Sequence, residues 1–438
     1  MGLERVEVGF LCIAITLVLI AIRMPIGIAL AGVSFVGIGF LTNMRAAWGI
    51  VSAIPYNFVA TWEFSAVPMF LMMGYIAARS GVTKGLFQSM QILLARVPGS
   101  LASASVAASA MFAAASGSSV ATSAALSRIA VPEMLRAGYE KGLATGTVAA
   151  AGTLGSLIPP SILMVIYGVF TGTSIGALFM AGFIPGVLTA VAFITMITIR
   201  VLLNPKLAPR GQVEFSAEER QTALRTVWPL PTLIIGVLGG IFAGVFTPTE
   251  AGAVGALFAI VIAAFYRSLS LKMLWGAVID AAIATSVMFI IAVGAAMFVR
   301  LMGLSQVPAF VADMVLNMSD NKYVVLMMIS VIFIFLGMFI DSIGIMLLTL
   351  PILMPLLQRL EIDMIWFGII TIKLLEIGLI TPPVGLNVYV IKTSLGGMVD
   401  LPSIFRGASW FILTDIIVLL ILIAFPTISL LLPSLMLR

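Results

Sequence analysis

The chain has 438 residues, 61% of them apolar and only 9% charged, with a formal net charge of +5, one cysteine and no histidine. A water-soluble domain carries about a quarter charged residues because its surface must face water, so this composition calls for a bilayer as solvent. With no His and only Cys12, intrachain disulfides, Cys/His zinc sites and nucleophile–His catalytic pairs are excluded, and basic residues scattered singly do not make a nucleic-acid face.

Apolar runs lie near 8–22, 26–41, 64–78, 142–158, 174–203, 227–246, 250–266, 276–299, 323–340, 364–380 and 409–432. At about 20 residues per helical span, there is room for roughly ten to twelve spans or part-spans. The first run follows Glu4, Arg5 and Glu7 and ends at Arg23, where a cleavage site would need small residues, so residues 1–24 read as a span rather than a signal peptide. Cys12 within it reads as a small packing residue.

Residues 101–126 are mostly small, with Ser116, Gly117, Ser118 and Ser119 at the centre. Each flank is short for a crossing, which predicts a helical hairpin entering and leaving by one face. Small-residue helix packing accounts for the Ala and Ser content but not for a Gly flanked by three Ser at the midpoint. A hairpin tip offers hydroxyls, free carbonyls and positive helix N-termini that suit an anionic group.

Next comes Gly152-Thr-Leu-Gly-Ser-Leu-Ile-Pro-Pro-Ser161. Two prolines remove two backbone donors and clash with the preceding turn. A simple kink is one reading. The other is a discontinuous helix whose freed carbonyls line a cavity or hold a cation, the usual Na⁺ site of a transporter.

The one aqueous stretch, 204–226, holds Lys206, Arg210, Arg220 and Arg225 against Glu214, Glu218 and Glu219. It reads as a linker in which Ser216 starts a short amphipathic helix. The Thr247-Pro-Thr-Glu-Ala-Gly252 turn starts another helix, capped by Thr249 or Thr247.

In the second half, Leu336-Gly-Met-Phe-Ile-Asp-Ser-Ile-Gly344 predicts a second hairpin tip. Asp341 within it is expensive in an apolar stretch and therefore a functional candidate: a cation ligand, a helix cap, or the partner of a base. Glu376-Ile-Gly-Leu-Ile-Thr-Pro-Pro-Val-Gly385 is the second broken helix, so the carbonyls of Gly155, Ile158, Gly378 and Thr381 are expected to lack helical partners. Lys373 and Glu376, three apart on its first part, are placed to pair.

The prolines test whether the halves are related. Pro25, Pro132, Pro159 and Pro160 match Pro248, Pro355, Pro382 and Pro383 at one offset (248 − 25 = 223), where Gly32 also meets Gly255 and Gly155 meets Gly378. Coincidence among 21 prolines does not account for four pairs in similar contexts, so the chain reads as a duplication: a repeat over 1–203, the linker, and a repeat over 227–438. The basic linker is expected to be cytoplasmic, and the termini, poor in positive charge, periplasmic. That requires an odd number of crossings per half, hence inverted repeats.

These residues resemble the large membrane subunit of the tripartite ATP-independent periplasmic (TRAP) transporters. The resemblance is carried by Ser-Gly-Ser-Ser-Val-Ala-Thr at 116–122, Gly-Thr-Leu-Gly-Ser-Leu-Ile-Pro-Pro-Ser at 152–161, Thr-Pro-Thr-Glu-Ala-Gly at 247–252 and Gly-Leu-Ile-Thr-Pro-Pro-Val-Gly-Leu-Asn at 378–387. It implies an all-α polytopic elevator-type carrier, similar to the ion-transporter superfamily, with a scaffold and a mobile domain holding two hairpins and two discontinuous helices. It implies Na⁺ coupling in the bacterial inner membrane, a separate small four-helix membrane subunit, and a periplasmic binding protein delivering an organic acid. One Na⁺ site carries over to Ser116, Ser118, Gly155, Ile158 and Pro160. Repeat logic places a second at Gly337, Gly378, Thr381 and Pro383. Ser119, Thr122, Asp341 and Asn387 are the substrate-facing candidates. No organic cofactor and no catalytic residue are expected.

The nearest rival is a stand-alone divalent-anion/Na⁺ symporter that needs no binding protein. An intramembrane enzyme would need Ser/Lys or paired Asp in the apolar segments, and no second intramembrane Asp is evident. A channel or scaffold gives no reason for paired broken helices.

Overall fold

The computed structural model describes residues 4–209 and 215–436, and helix is the regular secondary structure of the described residues. Arg210 and Glu214 of the linker, and Arg438 at the C-terminus, lie outside them. In the first half, α1 (Arg5–Ala21), α2 (Ile26–Leu41), α3 (Met44–Val59), α4 (Ala66–Arg79) and α5 (Val82–Leu93) precede a pair, α6 (Ser100–Ser116) and α7 (Ser119–Arg136). Then come α8 (Lys141–Leu157), α9 (Ile162–Thr171) and the long α10 (Ile175–Leu203). The linker contributes α11 (Ala217–Val227).

The second half has α12 (Pro229–Phe242), α13 (Pro248–Phe265), the 35-residue α14 (Leu271–Ser305) and α15 (Val307–Met318). A second pair, α16 (Lys322–Gly337) and α17 (Ser342–Arg359), is followed by α18 (Met364–Gly378), α19 (Leu386–Ser394), α20 (Leu401–Ala424) and α21 (Thr427–Leu435). Corresponding helices start at the proline offset: α17 follows α7 by 342 − 119 = 223 residues and α18 follows α8 by 364 − 141 = 223.

The helices start where side chains can satisfy the free N–H groups of a first turn. Ser118, Glu140, Ser161, Thr247, Asp341, Asp363 and Asp400 all accept from their own first turns. Thr247, not Thr249, caps α13 and forms a capping box with Glu250, and Ser216 does the same with Glu219 for α11. Every apolar run from the sequence falls on a helix. The hydropathy pattern passes over α3, with Arg45 and Asn57, and α17, interrupted by Pro351 and Pro355.

Among the described residues, six helices are long and apolar enough to cross a membrane, with α11 and α12 counted as one continuous helix, or up to eight if each bent pair is one span. Exposed large apolar side chains such as Phe40, Trp48, Phe265 and Trp275 crowd α2, α3, α13 and α14, a surface that only lipid or another apolar partner solvates. In contrast, α8 is buried from Gly142 to Leu157 and α18 from Trp366 to Gly378. The two broken helices therefore form the centre of the molecule.

The helix ends sort into two groups. The linker end of α10 packs beside Gly99 at the start of α6, while Gly176 at the other end lies against Met436. Tyr266, just past α13, donates its hydroxyl to the Thr226 carbonyl, and Gly9 of α1 packs on Ser305 and Val307 at the far end of α14. Both described chain ends thus lie away from the linker. The start of α8 meets α20 near its start, with Gly146 against Gly407. The start of α18 instead meets the far end of α9, through the Tyr167 hydroxyl on the Met364 carbonyl.

Candidate functional site: two hairpin tips against two broken helices

The break between α6 and α7 is two residues, Gly117 and Ser118, and the Gly117 backbone is left-handed (φ 61°). Glycine adopts that conformation at little steric cost, and it also permits close approach: a Cβ there would lie 2.9 Å from the Pro160 carbonyl oxygen. The tip hydroxyls are tied locally, Ser116 Oγ to Thr122 Oγ1 at 2.7 Å and Thr122 Oγ1 to the Ser118 carbonyl at 2.9 Å.

Opposite this tip, α8 ends at Leu157, and α8 and α9 are bent by 40°. Ser118 and Gly155 are in direct contact, since a Cβ on Gly155 would sit 2.5 Å from the Ser118 carbonyl oxygen. Residue 159, whose N–H would serve the Gly155 carbonyl in a continuous helix, is proline. The N–H of Ile162, which would serve Ile158, donates instead to the Gly117 carbonyl at 3.3 Å. Ser116, Ser118, Gly155, Ile158 and Pro160 are thereby brought to one junction. It presents hydroxyl and carbonyl oxygens, the donor set that suits a hard monovalent cation.

The second junction has the same construction. Gly337 at the end of α16 and Gly378 at the end of α18 touch backbone to backbone: a Cβ on Gly378 would lie 2.6 Å from the Gly337 Cα. The Val384 N–H donates to the Met338 carbonyl at 3.3 Å, repeating the tip-to-break bond of the first half. The Pro159–Pro160 and Pro382–Pro383 peptide bonds are both cis. One expectation fails here: the Gly378 carbonyl is not freed, but accepts from the Thr381 N–H at 3.1 Å. The chain tightens into an i→i+3 turn before Pro382, and the Thr381 hydroxyl donates back to Ile377 at 2.6 Å.

Of the substrate-facing candidates, Asp341 takes the cap role, accepting from Ile343 and Gly344 N–H at 3.1 and 3.3 Å. Thr122 is buried behind the first tip. Asn387 is buried on α19 and donates to the Ala149 carbonyl at 3.5 Å, tying the second broken helix to α8. Ser119 is buried, donates to Glu376 Oε2 at 2.5 Å and stands 2.8 Å from Ser156 Oγ.

Lys373 and Glu376 do not pair. Lys373 forms a buried ion pair with Asp415 of α20 and reaches Thr189 of α10 at 3.2 Å, while Glu376 faces the first hairpin tip. Three residues on a helix turn a side chain by roughly 300°, enough to serve different neighbours when packing favours it. The apolar run 409–432 concealed Asp415, an intramembrane Asp in addition to Asp341. Arg300 also escaped the sequence reading, because the run 276–299 stops just before it. It lines a cavity of about 1010 Å³ between α3, α9 and α14, with Asn57, Thr61, Val169 and Phe170. A lone arginine near the end of a 35-residue apolar helix was the available signal.

Comparison with known proteins decides the family. The family model for the tripartite ATP-independent periplasmic transporter, DctM component, matches residues 13–428. The chain belongs to that family. The permease is 36% identical to the C4-dicarboxylate TRAP transporter large permease protein DctM of Pseudomonas aeruginosa, over 84% of this chain and 86% of that one. It is 35% identical to the sialic acid TRAP transporter large permease protein SiaM of Vibrio cholerae, over 94% and 96%. With the sialic acid TRAP transporter permease protein SiaT of Haemophilus influenzae it shares 31%, over 98% of this chain and 68% of that one. Its fold is similar to the Alcanivorax borkumensis YdaH transporter (TM-score 0.64, 15% identity, 96% and 97% coverage). A second likeness is Neisseria gonorrhoeae MtrF (TM-score 0.58, 16% identity, 96% and 95%). The permease is a multi-pass membrane protein, and its relatives are named as transporter permeases, not enzymes.

Proposed function

We propose that this permease carries an organic acid across the bacterial inner membrane together with Na⁺, by an elevator motion of its hairpin domain. The observation that carries the reading is the pair of matching junctions, each setting a hairpin tip against a proline-broken helix with a backbone bond between them. Ser116, Ser118, Gly155, Ile158 and Pro160 would hold one Na⁺, and Gly337, Gly378, Thr381 and Pro383 a second. Co-moved cations offset the cost of taking a carboxylate through a low-dielectric path.

Inversion of the halves is supported by the helix ends. The first hairpin's arms begin and end near the linker, while α8 and α18 start at opposite ends of the molecule. We assign the linker to the cytoplasm and both termini to the periplasm on the positive-inside rule, with the repeats at 1–203 and 227–438. Arg300, in the large cavity on the side of the chain ends, suits an arriving anion. Ser119, Thr122, Asp341 and Asn387 would meet the substrate once the tips part. Relatives named for sialic acid and for C4-dicarboxylates indicate a carboxylate. A small four-helix membrane subunit and a periplasmic binding protein would complete the system.

Uptake by proteoliposomes containing the permease and its small subunit, with and without the binding protein, tests the reading. Uptake that needs the binding protein and Arg300, and is lost in Arg300→Ala, is expected. Full uptake by this chain alone would favour the stand-alone symporter.

A further inference from the structure

We infer that Glu376, with the hydroxyls of Ser119 and Ser156, forms a further Na⁺ site, distinct from the two junctions and joining them. The inference rests on the Na⁺-coupled reading above. Among the described residues, three charged side chains are buried: Lys373, Glu376 and Asp415. Lys373 is committed to Asp415 and Thr189. One ammonium therefore faces two carboxylates, and the excess negative charge sits at Glu376. A buried carboxylate without a cation is strongly disfavoured, because burial strips its hydration with nothing to replace it.

The local hydrogen bonding has the same gap. Ser119 has one hydroxyl proton and gives it to Glu376 Oε2, so Ser156, 2.8 Å away, donates to Ser119. Glu376 Oε1 is buried and has no hydrogen-bond partner. Buried carboxylate oxygens are normally satisfied. The oxygens present belong to a carboxylate and two hydroxyls, which are hard ligands suited to an alkali cation.

Three separate elements supply these groups: Ser119 from α7 at the first hairpin tip, Ser156 from the end of α8, and Glu376 from α18. Ser119 adjoins Ser118 of the first junction, and Glu376 lies two residues before Gly378 of the second. A cation here would draw the first tip, the first break and the second broken helix together, so that one half senses ion occupancy in the other.

The test is ²²Na⁺ saturation binding to the full chain purified in detergent, for the wild type, Glu376→Gln and Ser118→Ala. Glu376→Gln is expected to bind one Na⁺ fewer than the wild type. In Na⁺-free choline buffer it should melt at or above the wild-type temperature, because it removes an uncompensated charge, and it should gain less from added Na⁺. Should Glu376→Gln not fold, Glu376→Asp retains the charge on a shorter arm and should bind Na⁺ at least about tenfold more weakly, and unchanged affinity there overturns the site. An unchanged Na⁺ count in Glu376→Gln, with only the pH dependence of uptake altered, also overturns it, since the carboxyl would then hold a proton. If Ser118→Ala weakens binding while Glu376→Gln does not, this site alone fails. If the wild type binds no Na⁺, the coupled reading falls with it.

Discussion

Replacing Gly378 by alanine probes the second junction at its tightest point. The new Cβ would stand 2.6 Å from the Gly337 Cα, 2.9 Å from its carbonyl carbon and 3.1 Å from its oxygen. Ordinary contact starts near 3.4 Å, so α16 and α18 must separate by 3.4 − 2.6 = 0.8 Å, and the obstacle is backbone that no rotamer change can clear. Overpacking of this kind costs about 1–3 kcal/mol. If half of that falls on the ion-bound state, Na⁺ affinity drops by roughly two- to twelvefold, at about 1.4 kcal/mol per tenfold. The Na⁺ dependence of uptake and the melting temperature of purified protein read the two effects. Gly239→Ala is the control, because a Cβ there meets nothing nearer than Ile235 at 3.9 Å. It should stabilise α12 by about 0.5–1 kcal/mol. Gly378→Ala with wild-type Na⁺ dependence and wild-type melting would refute the close junction.

Ser118→Ala and Thr381→Ala should each weaken the Na⁺ dependence of uptake, and Ser118→Ala should also lose about 1 kcal/mol of stability with its helix cap; unchanged Na⁺ affinity in both rejects these ligands. Asp415→Asn strands the Lys373 ammonium in the interior and should destabilise by about 3–5 kcal/mol, whereas Lys373→Met combined with Asp415→Leu should recover most of that loss in a thermal melt. A double variant no more stable than the single one would contradict the ion-pair account. At Asp400, the hydroxyl of Ser403 donates to the carboxylate at 2.7 Å and holds it below the usual carboxylate range. Its contribution to the start of α20 is therefore present above the unfolded value of about 3.9 and disappears as pH falls through the lower folded value. Asp400→Ala should lower the melting temperature at neutral pH and converge with the wild type in acid; a constant difference across pH would disagree.

The sequence disclosed the parts of this molecule that depend on local chemistry. Prolines at a fixed offset marked both breaks, because no side chain can replace a missing N–H. A Gly flanked by three Ser marked the first hairpin tip and Asp341 the second, and both tips do supply the acceptor that a helix start needs, from Ser118 and Asp341. Long-range pairing was not visible. Lys373 sits three residues from Glu376, and helix spacing allows them to pair. That Asp415, 42 residues later, takes the lysine instead is decided by the packing of α18 on α20. The same holds for Ser119 and Glu376, which are 257 residues apart. Asp415 was lost inside an apolar run, where one charge barely lowers the mean, and Arg300 stands just past the end of another. The Pro-Pro pair predicted a freed Gly378 carbonyl, as at Gly155, but the three residues before Pro382 have room to close a tighter turn.

Coupling to Na⁺ is the central claim, and ion-gradient uptake tests it most directly. Proteoliposomes holding the permease with its small subunit, supplied with binding protein and labelled organic acid, are compared under an inward Na⁺ gradient and under an equal K⁺ gradient. Accumulation above equilibrium with Na⁺ alone, abolished when the gradient is collapsed, is the predicted result. Equal accumulation with K⁺, or with no gradient at all, would contradict the account.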